Sequence, residues 1–228
     1  MPKELPQRSS NEEKSTREAI LDAAERRFAE RGFSGVSVRE IAADVGLKNQ
    51  ASLYHYFRNK RAIYEAVLAR GVEALVHVVA SGTNQRGELR ARASVEHTVD
   101  LLLDYLTRHP HLPRLIQRAG IDDLRYFRST VMRLLRPLFQ QGLGVLAMSG
   151  APWRREELPH VAAGIYHMIF GYFASAQLLS LVAESDWLAP EAVRRQREFL
   201  KVAITQLLGM PRSGVVTPLR SASKAEES

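Results

Sequence analysis

Along most of the chain, apolar side chains recur every three or four positions, and short breaks rich in Gly, Pro, Asn and Ser interrupt them. That spacing is the helical period. Stretches that alternate apolar and polar at every second residue, the mark of a half-buried strand, do not recur. The pattern predicts an all-α chain of about nine helices without an internal repeat. The first opens at Ser15, where Ser15 and Glu18 match a capping box, and it carries Ile20, Ala24 and Phe28 on one face. Gly32 follows and suits the left-handed residue that ends a helix. A second capping box, Ser37 with Glu40, starts a short helix with Val38, Ile41, Ala42 and Val45 inward and Gly46 at its end. A third short helix is predicted over about 50–57, with Leu53 and Phe57 on one side. Asn59 can cap a fourth over about 60–79.

A turn-rich linker, SGTNQRGELR, occupies 81–90. Helices are predicted next at about 92–108, around 112–116, and from Asp122-Asp123 onward, where two carboxylates suit the positive end of a helix dipole. In the last of these, Phe127, Val131, Leu134 and Leu138 share a face, and Pro137 predicts a kink. After SGAPW at 149–153, two long helices are predicted at about 156–184 and 190–208. Residues 1–14 and 210–228 are polar and hold Pro and Ser, and they read as a disordered arm and tail. The ordered chain divides into a three-helix head, 15–61, and a helical body, 62–209.

Composition narrows the function. The 228 residues are 45% apolar, enough for a sizeable core. Lys and Arg number 32 against 25 Asp and Glu, a net charge of +7 that permits a nucleic-acid or anionic partner. The absence of Cys excludes disulfides, thiolate metal sites and a Cys nucleophile. The start of the chain has no apolar run, which predicts no signal peptide and a cytoplasmic location. No Gly-rich phosphate loop, G-x-S-x-G elbow or H-E-x-x-H motif is present, so neither an enzyme nor a cofactor is expected. His97 with Asp100 and Asp104 is the one set of possible metal ligands on a single helix face, and a surface or core role suits those residues better.

Two stretches of the body stand out. The 26 residues 158–183 carry no Lys, Arg, Asp or Glu, a length that fits a membrane span. Against a span stand His160, His167, Gln177 and two Ser within it, and the amphipathic helix after it with Val193, Leu200, Ile204 and Leu207 inward. A helix apolar all round is buried in lipid or in protein, and burial in protein needs a partner on two faces. The chain's own core supplies one, and a second subunit the other. Residues 108–136 hold seven Arg against two Asp, either a solvated face or a site for an acidic ligand.

Two short helices joined by a glycine-containing turn and braced by a preceding helix make a helix-turn-helix pattern. Residues 46–61 contain Lys48, Arg58, Lys60 and Arg61 and no acid, while Glu40, Asp44 and Glu65 flank them. Gln pairs with adenine, and Ser and Tyr reach phosphates. Lys60, at a helix N-terminus, combines its charge with free backbone N–H groups, an arrangement suited to a phosphate. The stretch SVREIAADVGLKNQASLYHYFRNKRAIY resembles the signature of the tetracycline-repressor (TetR) family, over about 15–70. Six residues separate Gly46 from Leu53, one more than the family usually has, which predicts a turn or third helix longer by one residue.

The resemblance implies a DNA-binding face. Ser37 and Arg39 would touch backbone or nearby bases, beside Lys48 and Asn49 in the turn. Gln50, Ala51, Ser52, Tyr54, His55 and Tyr56 would face the groove, with Tyr54 and Lys60 on phosphates. It further implies a homodimer formed by helices 156–184 and 190–208, a palindromic operator in double-stranded DNA, and no membrane. The middle helices would enclose a pocket for a small-molecule effector, with Leu102, Tyr105, Leu106, Leu115, Phe127, Val131, Tyr166, His167 and Phe170 as candidate lining. The expected function is a ligand-released repressor, with a DNA-binding regulator that takes no small-molecule input, or an activator using a co-ligand, as the alternative. The helix that starts at Lys60 would carry the signal from body to head.

Overall fold

Ten helices and no strand make up the described residues, 10–82 and 88–210, of a computed structural model of the chain. They are α1 (Ser10–Arg31), α2 (Val38–Asp44), α3 (Gln50–Tyr54), α4 (Lys60–Gly82), α5 (Glu88–Arg108), α6 (Leu112–Ile121), α7 (Leu124–Met148), α8 (Leu158–Ala174), α9 (Ala176–Val182) and α10 (Pro190–Leu207). α1 to α3 form the head. α4 leaves it and becomes the spine of the body, where α1, α5 and α7 pack along it.

Several boundaries differ from the sequence expectation, each for a local reason. α1 begins five residues before Ser15, inside the stretch read as a disordered arm. Glu12 and Glu13 sit in its first turn, where the helix dipole favours acids. Ser15 and Glu18 are therefore interior positions, and Glu18 binds Arg70 at 3.1 Å instead of capping. α4 runs to Gly82 and α5 starts at Glu88, so part of the expected linker is helical at each end. The rest of it, like residues 1–9 and the tail from 211, lies outside the described residues.

The long uncharged helix is two helices. α8 and α9 meet at Ser175 with a 64° bend. The bend turns the chain back, and the Tyr172 hydroxyl donates to the Trp187 carbonyl beyond α9. Among the described residues no single helix is long and apolar enough to cross a membrane. In α7 the irregular backbone lies at Phe127 (φ −124°, ψ 17°) and not at Pro137. Pro137 stands on the exposed side, as does Arg133, whose carbonyl loses its intrahelical donor.

The core is continuous from head to body. α3 spans five residues, too few to hold a helix in water unaided. It persists because Leu53 and, just after it, Phe57 are buried against the first two helices. Burying such a side chain contributes about 1.5–3 kcal/mol. Higher up, α4 and α6 approach closely at Gly71. A Cβ there would collide with Leu112 Cδ1. Ion pairs tie the remaining layers. Arg70 of α4 reaches Asp22 (2.7 Å), Glu25 (2.9 Å) and Glu18 of α1. Arg197 and Lys201 of α10 take Asp100 at 3.0 and 2.8 Å, and Arg197 also takes Asp104. Both carboxylates that share a helix face with His97 are thus engaged across α5 and α10.

Candidate nucleic-acid interface

α2 and α3 are set by their caps. Ser37 Oγ accepts from the Glu40 N–H at 3.2 Å, and the Glu40 carboxylate accepts from the Ser37 N–H at 2.7 Å, so the expected capping box is formed. Gly32 and Gly46 take φ near +70° (69° and 68°), where a side chain is strained. Asn49 caps α3, its Oδ1 accepting from the Ser52 N–H at 2.9 Å. Asn59 does the same for α4 through the Ala62 N–H at 2.8 Å. With Leu53 and Phe57 inward, α3 turns Gln50, Ala51, Tyr54 and His55 outward, with Ser52 and Tyr56 half-buried. The Gln50 amide donates to the Tyr54 hydroxyl at 2.8 Å, which fixes both side chains on one ridge. Arg39, Lys48 and Arg58 are exposed around that ridge.

The acids that border this face are held by α1. Arg31 binds Glu40 at 2.7 Å, and Arg27 grips Asp44 with two nitrogens while Arg26 adds a contact at 3.1 Å. Hydrogen bonds from the Ser37 hydroxyl and backbone, with Arg31, hold the Glu40 carboxyl down at about 2. The Arg27 hydrogen bond lowers Asp44 likewise. The outcome is a cationic face whose nearest carboxylates are already neutralised.

A folded-state value near 2 against an ordinary 4.5 means that Glu40 stabilises α2 fully above about pH 4.5. That contribution is lost as pH falls from there through 2. The melting temperature of Ser37→Ala is therefore expected to depend less on pH over this window than that of the native chain. Thermal melts at pH 5 and pH 2.5, compared between the two proteins, check it.

Lys60 is engaged within the head. Its ammonium donates to the Val36 carbonyl at 2.7 Å and sits 4.3 Å from the Phe33 ring centre. Burial lowers its pKa, with Asp123 and Glu40 opposing the shift. One of its three donors thus braces the turn between α1 and α2 from the start of α4. Asn49 and Ser37 are likewise committed to capping, and what they can offer a ligand is limited to their remaining lone pairs.

Sequence reasoning missed the junction below this head. The Asp123 carboxylate, with the residue only 3% exposed, accepts from the Tyr64 hydroxyl at 2.8 Å and from the Phe33 N–H at 3.1 Å. Burial, then the bond to Asp123, pushes the Tyr64 phenol far up. Arg118 of α6 donates to the Ala29 and Glu30 carbonyls at 2.9 Å each, closing the C-terminal end of α1. Arg61 reaches the Tyr126 carbonyl at 3.2 Å. Phe28, Phe33, Tyr64 and Phe127 stack edge and face across the same seam, with centroids 4.4–6.2 Å apart. One element, the α6–α7 corner, therefore touches α1, the turn after it, and α4. The Asp122-Asp123 pair was visible in the sequence, but only as a helix start.

Of the residues expected to line a pocket, Leu102, Leu106, Leu115, Val131 and Phe170 are buried, and Tyr105 and Tyr166 are half-buried. Burial raises both phenols. Phe127 belongs instead to the junction cluster, stacked on Tyr64. His167 points to solvent, on the same side of α8 as His160 and Gly164. Among the described residues no cluster of three or more His, Asp or Glu is placed to hold a metal ion.

Residues 20–67 match the family of bacterial regulatory proteins named for tetR. The chain is 27% identical over 129 residues to the probable HTH-type transcriptional regulator YttP of Bacillus subtilis, covering 55% of this chain and 62% of that protein. It is 25% identical over 141 residues to the HTH-type transcriptional repressor NicS of Pseudomonas putida, covering 56% and 63%. The match thus spans less than two thirds of either relative. The crystal structure of PfmR, a TetR family transcriptional regulator from Thermus thermophilus, overlays with a TM-score of 0.62 over 83% of this chain and 97% of that one. At 19% identity that likeness is one of fold. With its capped helix-turn-helix head on an all-helical body, the chain carries over residues 20–67 the head domain of the tetR family of bacterial regulatory proteins.

Proposed function

We propose that the protein is a sequence-specific DNA-binding transcriptional repressor, a homodimer that leaves a palindromic operator when a small, largely apolar ligand occupies its body. The reading rests above all on the ridge of α3. It is short, projecting and free of acids, cationic groups ring it, and arginines of α1 hold the neighbouring carboxylates. The major groove of B-DNA admits such a helix. Gln50 and Tyr54 are the candidate base readers, with Ala51, Ser52, His55 and Tyr56 beside them. Arg39, Lys48 and Arg58 are the candidate phosphate contacts. In a two-fold dimer two such ridges read half-sites about 34–36 Å apart. The relative NicS is itself named a repressor, which supports the sign.

The ligand site proposed is the apolar interior between α5, α6 and α8, with Leu102, Leu106, Leu115 and Phe170 as walls and Tyr105 and Tyr166 as polar anchors. A ligand acts only through its unequal affinity for the two arrangements of the heads. The α6–α7 corner gives it a route, since that corner holds α1 and α4 together.

Base reading and phosphate binding have separable signatures. Gln50→Ala is expected to cost about 1–3 kcal/mol on the preferred operator and to relax selection at one base position. Arg58→Ala is expected to weaken all duplexes alike and to reduce the salt slope by about one. Gel shifts on randomised duplexes over a salt series measure both. Identical behaviour of the two variants overturns this division of roles.

A further inference from the structure

Neither the proposed DNA ridge nor the ligand site uses the outer face of α7. The inner side of this helix, with Phe127, Thr130, Val131 and Leu134, packs on α4, α6 and α8. From the other side project Arg125, Arg128, Met132, Arg133, Arg136 and Phe139, all exposed. Beyond the irregular residue Phe127, their spacing keeps Arg128 to Phe139 on one side of the helix, and Met132 and Phe139, 51% and 47% exposed, stand two turns apart in a single row. The 25 residues of α7 include no Asp, Glu or Lys. Arg125 lies over the Tyr126 ring at 4.5 Å, and Arg128, Arg133 and Arg136 form no ion pair among the described residues. The acid just before the helix, Asp122, is taken by Arg118 at 3.0 Å.

A solvated helix face normally mixes both signs of charge and favours Lys and Glu. This one has the composition of a protein interface, in which Arg, Met and aromatic residues are enriched and Lys, Asp and Glu depleted. Three guanidinium groups, of Arg128, Arg133 and Arg136, within about 12 Å of helix also repel one another until an anion joins them. The apolar row argues for what that anion is. A phosphate backbone has no use for Met and Phe side chains. A bilayer asks for a broad apolar face, and here arginines flank a narrow one. A second α7 would set Arg against Arg. A helix with an apolar seam and flanking carboxylates satisfies both features, because Arg binds carboxylate in bidentate fashion and helices pair through rows seven residues apart.

We propose that the outer face of α7 docks an acidic amphipathic helix of a partner protein, whose apolar seam meets Met132 and Phe139 and whose carboxylates pair with Arg128, Arg133 and Arg136. This inference stands independently of the DNA reading. The test uses the full-length protein and a fluorescent peptide of three heptads, with Leu at the two apolar positions, Glu flanking them and Ala elsewhere. Binding is read by anisotropy. Parallel titrations use the same peptide with Lys for Glu, phosphatidylglycerol–phosphatidylcholine vesicles, and a duplex of random sequence. Saturable binding of the Glu peptide is expected, with none of the Lys peptide. Arg133→Glu with Arg136→Glu should weaken it about tenfold or more, and Phe139→Ser about fivefold, with unchanged melting temperatures. Two results overturn the proposal: a Glu peptide that fails to bind or is indifferent to these substitutions, and vesicles or duplex that lose binding with Arg133→Glu/Arg136→Glu while the peptide does not.

Discussion

Replacing Asp123 by alanine is expected to cost the protein about 2–4 kcal/mol of stability. The substitution takes the acceptor from two donors, the buried Tyr64 hydroxyl and the part-buried Phe33 N–H. A buried donor left unpaired costs about 1–3 kcal/mol, and the relief of removing a buried carboxylate offsets part of the sum. Tyr64→Phe removes one donor and leaves the carboxylate its bond to Phe33, so about 1 kcal/mol is expected. Urea unfolding of the two single variants and the double variant gives the coupling directly. A change within about 0.5 kcal/mol for Asp123→Ala would mean that the corner holds the head by packing alone. The same variant tests the proposed signal route. If the corner transmits, a ligand that releases the native protein from its operator releases Asp123→Ala less completely.

The second large effect concerns the proposed subunit contact. Phe199→Glu is expected to yield a monomer and to weaken operator binding by about 10²–10⁴-fold, the advantage lost when two linked reading heads become one. Phe199 is 57% exposed on α10. On α8 the exposed row His160, Gly164 and His167 presents little bulk, and a Cβ on Gly164 would meet nothing within 4 Å. Small residues in such a row let a second helix approach, and an exposed large apolar side chain on α10 can supply burial in the same contact. Leu178 and Leu181 of α9 are exposed as well. Sedimentation velocity and gel shifts on one and two half-sites measure the change. A variant that stays dimeric with native affinity removes this face from the contact.

How much of this was readable beforehand depends on the range of the interaction. Caps were legible because they are settled within four residues. The Ser37–Glu40 box, Asn59 and the positive-φ glycines all stand as the sequence indicates. The same rule misfires at Ser15–Glu18, because acids two and three residues upstream of Ser15 make a better first turn. Periodicity found the buried sides of α3 and α7 but not the break at Ser175, since a bend between two apolar helices leaves the pattern of apolar positions intact. The long-range bonds of Lys60 and Asp123 were not legible for a common reason. Each carries a charge at a helix start, where local rules assign it to solvent or to the dipole, and each is claimed by a residue at least 24 positions away. Only the fold brings Val36, Phe33 and Tyr64 to them.

The close approach at Gly71 has a consequence for descent. Leu112 is fully buried, so its methyl groups cannot swing aside to admit even one extra carbon. Any lineage that enlarges position 71 must trim position 112 in the same stroke or spread the two helices. Across homologous chains the two sites should therefore change as a pair, and an isolated substitution at either should be rarer than the double one.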